Sequence, residues 1–386
     1  MKRTLYDTDH EDFRASVREF AKREVAPNLE RWDAQHSIDR ETWLAAGAQG
    51  VIGLPIPTEY GGGGVDDYRF RSIVIEELAR VHAASLASGF ALQDDIAAKY
   101  IIELGDDAQK ARWLPSMATG EHIGAIAMTE PGTGSDLQGI RTSAVRTDGG
   151  WLVNGAKTFI TNGIHADLVV TVVRTDPAGG PGAFTLMVVE RAMPGFSRGR
   201  RLEKVGMHAQ DTAELHYDDV FVPDANVLGA VGGGFGQLKA LLPLERLGIA
   251  IQGVCVAETI LAETVAYVRD RHAFGQRIAD FQNTQFQLAE MATEVDLGRT
   301  FADRAILALN AGELDDVDAA KAKWWCTDLQ NRVVDRCLQL YGGYGYMLEY
   351  PVGRAYQDAR IQKIFGGANE IMKQIIGRRI VGRPEK

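Results

Sequence analysis

The sequence predicts an α+β fold with an N-terminal α-helical domain, a middle β domain and a C-terminal four-helix bundle. Apolar residues recur at helical spacing in residues 8–122 and again from 235 toward the end. Between them, residues 123–230 carry short β-prone runs separated by Gly, Pro, Asn and Asp. A chain of 386 residues has room for two or three domains. The predicted domain boundaries are 1–122, 123–233 and 234–386.

The N-terminal domain is predicted from its periodicity. Phe13, Val17 and Phe20 recur on one helical face, and residues 106–120 begin with acidic residues and end in Gly. Residues 52–64 contain two prolines and four consecutive glycines, which predicts a loop between helices.

The middle domain is predicted from five β-prone runs and one hairpin. The hairpin turns at Asp148-Gly149-Gly150. The runs are 143–146, 151–153, 168–173, 184–189 and 214–217.

The C-terminal domain shows four helical patterns with short connections, which is typical of a bundle. The predicted helices are 235–269, 281–311, 316–341 and 352–376.

The amino-acid composition argues against several classes of function. Lys plus Arg number 42 against 52 for Asp plus Glu, and this net charge of −10 argues against nucleic-acid binding. The acidic first dozen residues argue against a targeting leader, and the apolar runs are too short to span a bilayer. The three cysteines show no CxxC spacing, and the eight histidines show no ligand spacing. We therefore expect a cytoplasmic protein without a metal site, a disulfide or a membrane-inserted segment.

Several common catalytic signatures are absent: a GxGxxG after a strand, GxxxxGK[ST], HExxH and GxSxG. The informative segment is 127–136, Ala-Met-Thr-Glu-Pro-Gly-Thr-Gly-Ser-Asp, which leaves a predicted strand. Its glycines and hydroxyls would bring backbone N–H groups close to a polar ligand. From the pattern alone, a plain β-turn is an equal alternative.

Met128 to Asp136 resembles the signature of the acyl-CoA dehydrogenase family. The resemblance implies that Met128 and Thr129 contact the flavin of FAD and that Ser135 contacts the acyl-CoA substrate. Phe159-Ile160-Thr161 is similar to a second flavin-contacting segment, usually Trp-Ile-Thr, with Phe159 keeping an aromatic face. In this family the middle domain is a β-barrel or sandwich.

Further motifs follow at the family's spacing. Arg271-His-Ala-Phe274-Gly resembles Arg-x-x-Phe-Gly, whose arginine pairs with the FAD pyrophosphate, although alone Arg271 would be interpreted as a surface charge. Gln339-Leu-Tyr-Gly-Gly resembles a segment that meets FAD from a neighbouring subunit. The remaining implied flavin contacts are Phe274, Gln282, Gln339, Gly342, Gly343, Ala368, Asn369 and Glu370.

The catalytic base is expected at Glu245. Most family members carry it in a C-terminal Tyr-Glu-Gly-Thr motif, where this chain has Gly366 in place of the glutamate. Leu242-Pro-Leu-Glu-Arg-Leu247 instead resembles the segment that bears the base in the long-chain and isovaleryl members. Apolar neighbours would raise the pKa of Glu245 toward neutrality, whereas the pattern alone favours a structural ion pair with an arginine. The resemblance further implies substrate contacts at Leu244, Arg246, Gly366 and Gly367.

The implied reaction is dehydrogenation of a fatty acyl-CoA to a trans-2-enoyl-CoA. Glu245 takes the α-proton, and the Gly366 N–H supports the thioester carbonyl. Implied partners are acyl-CoA and an electron-transfer flavoprotein, and the implied assembly is a homotetramer. The position of the base favours long-chain or branched substrates. Alternatives are another flavoenzyme of this fold, such as a nitroalkane oxidase or monooxygenase, or a catalytically silent scaffold that binds acyl-CoA and FAD.

Overall fold

The computed structural model describes residues 3–382 and confirms the predicted class: a helical domain, a sheet domain and a second helical domain. Aspartates cap three of the N-terminal helices, because their carboxylates accept the otherwise unpaired N–H groups of the first turn. Asp7 accepts from His10 N, and Asp106 forms a reciprocal capping box with Gln109. The helices are α1 (Thr8–Phe20), α2 (Leu29–Gln35), α3 (Arg40–Ala48), α4 (Tyr68–Arg80), α5 (Ala84–Ala91), α6 (Lys99–Leu104) and α7 (Asp107–Ala118).

The N-terminal domain also contains a π-helical turn, Leu92–Ala98, between α5 and α6. Such turns are rare and occur frequently at functional sites. This one packs beside the first helix of the C-terminal domain.

The middle domain is a sheet of eight strands whose neighbours run in the order β6-β7-β3-β2-β4-β5-β8, with β1 parallel to β4. The predicted hairpin is confirmed, since Thr147 pairs with Gly150 across its turn. The strands are β1 (Gly124–Ala127), β2 (Ser143–Thr147), β3 (Gly150–Thr161), β4 (Leu168–Arg174), β5 (Phe184–Glu190), β6 (Phe196–Arg201), β7 (Thr212–Pro223) and β8 (Val227–Leu228).

The C-terminal domain is built around α8 (Gly234–Asp270), which packs against α9 (Gln282–Asn310) and α10 (Asp316–Tyr341). A short hairpin, β9 (His272–Ala273) and β10 (Gln276–Arg277), joins α8 to α9. The prediction of one helix over 352–376 is wrong. The chain forms α11 (Pro351–Ala359) and α12 (Asn369–Val381), because Gly366 and Gly367 adopt φ values of 61° and 91° that end helical geometry.

By length and composition α8 would be able to cross a membrane. It is instead the core helix of the bundle, with 61% of its most apolar window buried inside the protein. In the described part of the chain three cysteines are free and buried: Cys255 lies on α8, and Cys326 and Cys337 lie on α10.

Candidate active site

Glu245 is the twelfth residue of α8, about three turns from the start of the helix, and its side chain is buried. The Tyr100 hydroxyl, from α6, donates a hydrogen bond to its Oε1 at 3.2 Å. In the described part of the chain Glu245 forms no salt bridge, so the structural ion pair considered above is not observed.

Burial raises the pKa of the Glu245 carboxyl from 4.5 to about 7. The Tyr100 hydrogen bond and the charge of Arg246 lower the pKa, and the nearby Asp95 charge raises it further. A carboxylate with a pKa near 7 can take a proton and remain ionised in half of the molecules at neutral pH. Tyr100 gave no motif in the sequence, since it lies 145 residues from Glu245.

Gly366 packs against the same helix that carries Glu245. A Cβ at Gly366 would overlap Cδ1 of Ile249, which follows Glu245 by one helical turn. The Gly366 N–H donates no hydrogen bond to any described residue, so it is free to donate to a bound group. The structure therefore places Gly366 against α8, one helical turn from Glu245, with Gly367 next to it in the chain.

Lys323 of α10 holds this glycine loop in place, and sequence reasoning missed it. Its Nζ donates to the Gly367 carbonyl at 2.8 Å and to Asn369 Oδ1 at 3.0 Å. The Asn369 amide in turn donates to Thr327 and Asp328. The Asn369 side chain is thus fully engaged inside the chain, so only its backbone can meet a ligand, while Ala368 is half-buried and Glu370 exposed.

Arg246 is buried next to Glu245, and its Nε has no partner among the described residues. Burial lowers the pKa of its guanidinium. A buried guanidinium without a carboxylate partner suits a ligand oxygen. Leu244, the residue before Glu245, is half-buried.

The predicted flavin segments meet at one face of the sheet domain. Lys157 Nζ donates to the Met128 carbonyl at 3.0 Å, and Thr158 N donates to the Thr129 carbonyl at 2.9 Å. These bonds tie the loop after β1 to β3. Lys157, whose pKa burial lowers to about 8, also pairs with Glu130. Neither residue was predicted, because a buried Lys–Glu pair has no sequence signature.

Phe159 on this face is 68% exposed and has a φ of 58°, a strained backbone for a side chain other than glycine. An exposed aromatic ring held in this way offers a flat surface to a planar ligand. Thr161 is half-buried and Ser135 is exposed, so both hydroxyls are accessible. The side chain of Ile160 lies in the core, which, as for Asn369, leaves only its backbone for a ligand.

A second group of predicted residues lies at the far end of α8. Arg271, Gln339, Gly342 and Gly343 line an open groove of about 650 Å³. The Arg271 guanidinium lies 5.6 Å from the centre of the Tyr344 ring. Two more predicted contacts lie nearby in the sequence: Phe274, 96% exposed at a φ of 52°, and Gln282, exposed at the start of α9.

The two groups fit different parts of FAD. The sheet-domain face and the glycine loop suit the flavin ring, whereas an exposed guanidinium beside Gly342 and Gly343 suits a pyrophosphate. Within one chain they are far apart: Glu245 and Asp270 are separated by roughly 40 Å along α8 at 1.5 Å per residue. The described residues contain no cluster of His, Cys, Asp or Glu suited to a metal.

Comparison with known proteins covers almost the whole chain. Three family models match: the acyl-CoA dehydrogenase N-terminal domain at residues 7–121, the middle domain at 125–220 and the C-terminal domain at 232–381. The long-chain specific acyl-CoA dehydrogenase of Rattus norvegicus is 44% identical over 98% of this chain and 88% of its own length.

Solved structures agree. An acyl-CoA dehydrogenase from Geobacillus kaustophilus superposes with a TM-score of 0.96 at 45% identity, covering 98% of this chain and 100% of the other. A glutaryl-CoA dehydrogenase from Mycobacterium smegmatis in complex with FADH2 superposes with a TM-score of 0.92 at 28% identity. The match covers 99% of this chain and 96% of the other. These matches, together with a site that fits both halves of the cofactor, establish that the chain belongs to the acyl-CoA dehydrogenase family of FAD-dependent enzymes.

Proposed function

We propose that this enzyme dehydrogenates a fatty acyl-CoA to the trans-2-enoyl-CoA with Glu245 as the base that removes the α-proton. The observation that carries the proposal is the position of Glu245. It is a buried carboxylate with a pKa raised to about 7, on the helix against which Gly366 packs. Gly366 itself has no side chain that can accept a proton.

The protein must lower the barrier to removing a weakly acidic proton. Negative charge develops on the thioester oxygen as the α-proton leaves, and a donor aimed at that oxygen stabilises it. The unpaired N–H of Gly366 is such a donor, and Lys323 fixes its loop through the Gly367 carbonyl. A backbone N–H keeps this role whatever the side chain.

Tyr100 orients the base. Its hydroxyl donates to one Glu245 oxygen and leaves the other free to face the substrate. When bound, the flavin supplies the oxidising power by accepting a hydride from the β-carbon. Arg246 and Leu244 flank the base and are proposed to contact the substrate, together with Ser135 from the sheet domain.

The finer features are proposals from the same resemblance. A long-chain or branched acyl group follows from the placement of the base on α8, and the relative in Rattus norvegicus is named for long-chain substrates. Transfer of electrons to an electron-transfer flavoprotein follows from the family. The separation of roughly 40 Å between the two halves of the FAD site supports an oligomer, proposed to be a tetramer, in which a partner copy supplies Arg271. The cytoplasmic location stays a prediction.

The test is anaerobic bleaching of the flavin absorption band by a panel of acyl-CoAs. We expect wild type to bleach and Glu245→Gln to retain the yellow cofactor without bleaching. Glu263→Gln is the matched control, because Glu263 lies on the same helix and, among the described residues, its side chain bonds only His82.

Three outcomes would contradict the proposal. If Glu245→Gln bleaches as fast as wild type, a residue other than Glu245 is the base. No bleaching of wild type by any acyl-CoA, with acyl-CoA still bound, would favour the silent scaffold. Rapid oxygen consumption by the reduced protein would favour an oxidase or monooxygenase of the same fold.

A further inference from the structure

A buried polar cluster lies near Glu245, where the hydrocarbon chain of an acyl group would pack best against apolar side chains. Gly248 follows Glu245 by three residues and therefore lies on the same face of α8, about 4.5 Å further along its axis. A Cβ at Gly248 would meet the Tyr68 hydroxyl at 3.0 Å and Asp95 Oδ2 at 3.5 Å. The face that carries the base therefore continues into polar atoms from α4 and from the π-helical turn.

The cluster, defined as Tyr68, Arg71, Asp94 and Asp95, is rich in unsatisfied groups. Arg71 is 4% exposed, and only its Nε is bonded, to the two Asp95 oxygens at 3.2 and 3.1 Å. Its Nη1 and Nη2 have no partner among the described residues, and neither does Asp94 Oδ2. The Tyr68 hydroxyl meets only the adjacent Asp95 carboxylate. The other Asp94 oxygen accepts from Gly53 N at 2.9 Å.

Such a concentration of unpaired buried groups is unusual. Native proteins pair nearly all buried polar atoms, because an unpaired one loses its hydrogen bonds to water without compensation. The unpaired atoms of Arg71 and Asp94, with the Tyr68 hydroxyl beside them, are therefore available to a polar group that the described residues do not supply. Their position beside the base and on a π-helical turn makes the bound substrate the natural source of that group.

The charges of the cluster select the kind of group. Arg71 is neutralised by Asp95, and burial raises the pKa of Asp94 to about 7, so the cluster holds no excess positive charge. A substrate carboxylate would face Asp94, Asp95 and Glu245 and would be repelled. An uncharged oxygen can accept from Arg71 and Tyr68, and a hydroxyl can also donate to Asp94.

We propose that the Tyr68, Arg71, Asp94 and Asp95 cluster recognises an uncharged oxygen substituent, a hydroxyl or keto group, on the acyl chain a few carbons beyond the reacting pair. This proposal rests on the proposed function, since it takes the acyl chain to run from Glu245 along this face of α8. It makes the enzyme selective for oxygenated acyl-CoAs over plain hydrocarbon ones. A site built to hydrogen-bond a hydroxyl discriminates strongly against the analogue that lacks it.

Binding to FAD-loaded Glu245→Gln tests the proposal without requiring turnover. The probes are straight-chain acyl-CoAs of one length, either unsubstituted or carrying a single hydroxyl or keto group at successive carbons from the γ-carbon outward. Dissociation constants are measured by titration calorimetry. We expect one position to bind about tenfold more tightly than the unsubstituted chain.

Two variants, each combined with Glu245→Gln, assign this preference to the cluster. Tyr68→Phe removes one hydroxyl without changing shape and should reduce the preference several-fold. Arg71→Met with Asp95→Leu removes both charges together and should abolish the preference while tightening binding of the unsubstituted chain. Tyr217→Phe, in which the lost hydroxyl bonds Thr171 in the sheet domain, is the matched control and should leave the preference unchanged.

The outcomes separate this inference from the proposed function. If every substituted chain binds no more tightly than the plain one, the cluster is filled by structural water and the inference is wrong. A preference that persists in Tyr68→Phe and in the charge-free variant also overturns it. A binding preference without flavin bleaching in the wild type would instead refute the proposed function alone.

Discussion

The buried Glu245 carboxyl lowers the stability of the folded protein at neutral pH. Its pKa is about 7 in the folded state against 4.5 in an exposed chain, so between these values the folded protein binds a proton that the unfolded chain has lost. Stability therefore falls as the pH rises from about 4.5 to 7. A shift of this size corresponds to on the order of 3 kcal/mol above pH 7.

Replacing Glu245 by Gln should remove this cost. We expect Glu245→Gln to be more stable than wild type at pH 8 by up to about 3 kcal/mol, and the difference to shrink toward pH 5. Urea unfolding at both pH values, at one protein concentration and FAD content, measures it. A difference that is independent of pH would mean that the Glu245 pKa is not raised.

The carboxylate should not be transferable to position 366 without further change. Glu at this position would overlap Ile249 and would occupy a φ of 61°, which side chains rarely adopt. We expect Glu245→Gln/Gly366→Glu to be inactive and a third change, Ile249→Ala, to recover at least about tenfold in rate, or 1.4 kcal/mol of barrier. Flavin bleaching rates compare the variants.

Glu245→Gln/Ile249→Ala is the control for that series, because it opens the space without adding a carboxylate. If the double variant with Glu at 366 already bleaches the flavin at the wild-type rate, Ile249 does not exclude the second location of the base.

The sequence predicts the candidate residues that belong to motifs, and it offers no signal for those that act across the fold. Glu245 and Gly366 were predicted because each stands in a short segment with a recognisable pattern. Tyr100, Lys157 and Lys323 were not, because their roles depend on partners far away in the chain, such as Glu245 and the Gly367 carbonyl. A single sequence does not reveal such pairings.

At the scale of elements, the bundle depends on one close approach between α8 and α10. A Cβ at Gly253 would lie 2.9 Å from the Cys326 carbonyl oxygen and 3.1 Å from its carbonyl carbon. Backbone atoms cannot move aside as a flexible side chain can. We expect Gly253→Ala to push the helices apart and to cost about 2 kcal/mol.

Gly236 provides the matched comparison on the same helix, because a Cβ there meets nothing within 4 Å. Gly236→Ala should stabilise by up to about 1 kcal/mol through its higher helix propensity. Thermal midpoints at equal protein concentration measure both. A Gly253→Ala variant as stable as Gly236→Ala would refute the close approach.

Element prediction succeeded where periodicity was long and failed where tertiary contacts decide. The helix predicted over 316–341 has those bounds in the structure, and α8 and α9 differ by one residue at each end. β6 and β8 were missed, because Phe196–Arg201 is mostly polar and Val227–Leu228 is too short for a pattern. They are strands only because β7 and β5 pair with them.

At the scale of the whole molecule, the length of α8 has a consequence for assembly. Glu245 near its start and Arg271 just beyond its end are held roughly 40 Å apart by a continuous helix. If both serve one FAD molecule, they must come from different copies of the chain. Each site would then combine the Glu245 of one copy with the Arg271 of another.

Mixing two inactive variants tests this shared site. Glu245→Gln lacks the proposed base, and Arg271→Ala lacks the proposed pyrophosphate contact. In a pair that contains one of each, one site loses both residues and the other keeps both. Random mixing makes about half of the pairs mixed, and one of the two sites in each mixed pair is intact. About a quarter of all sites are then intact, so co-expression should restore about a quarter of wild-type activity. If the site is contained in one chain, every site in the mixture lacks one of the two residues, and activity should not exceed that of the separate variants.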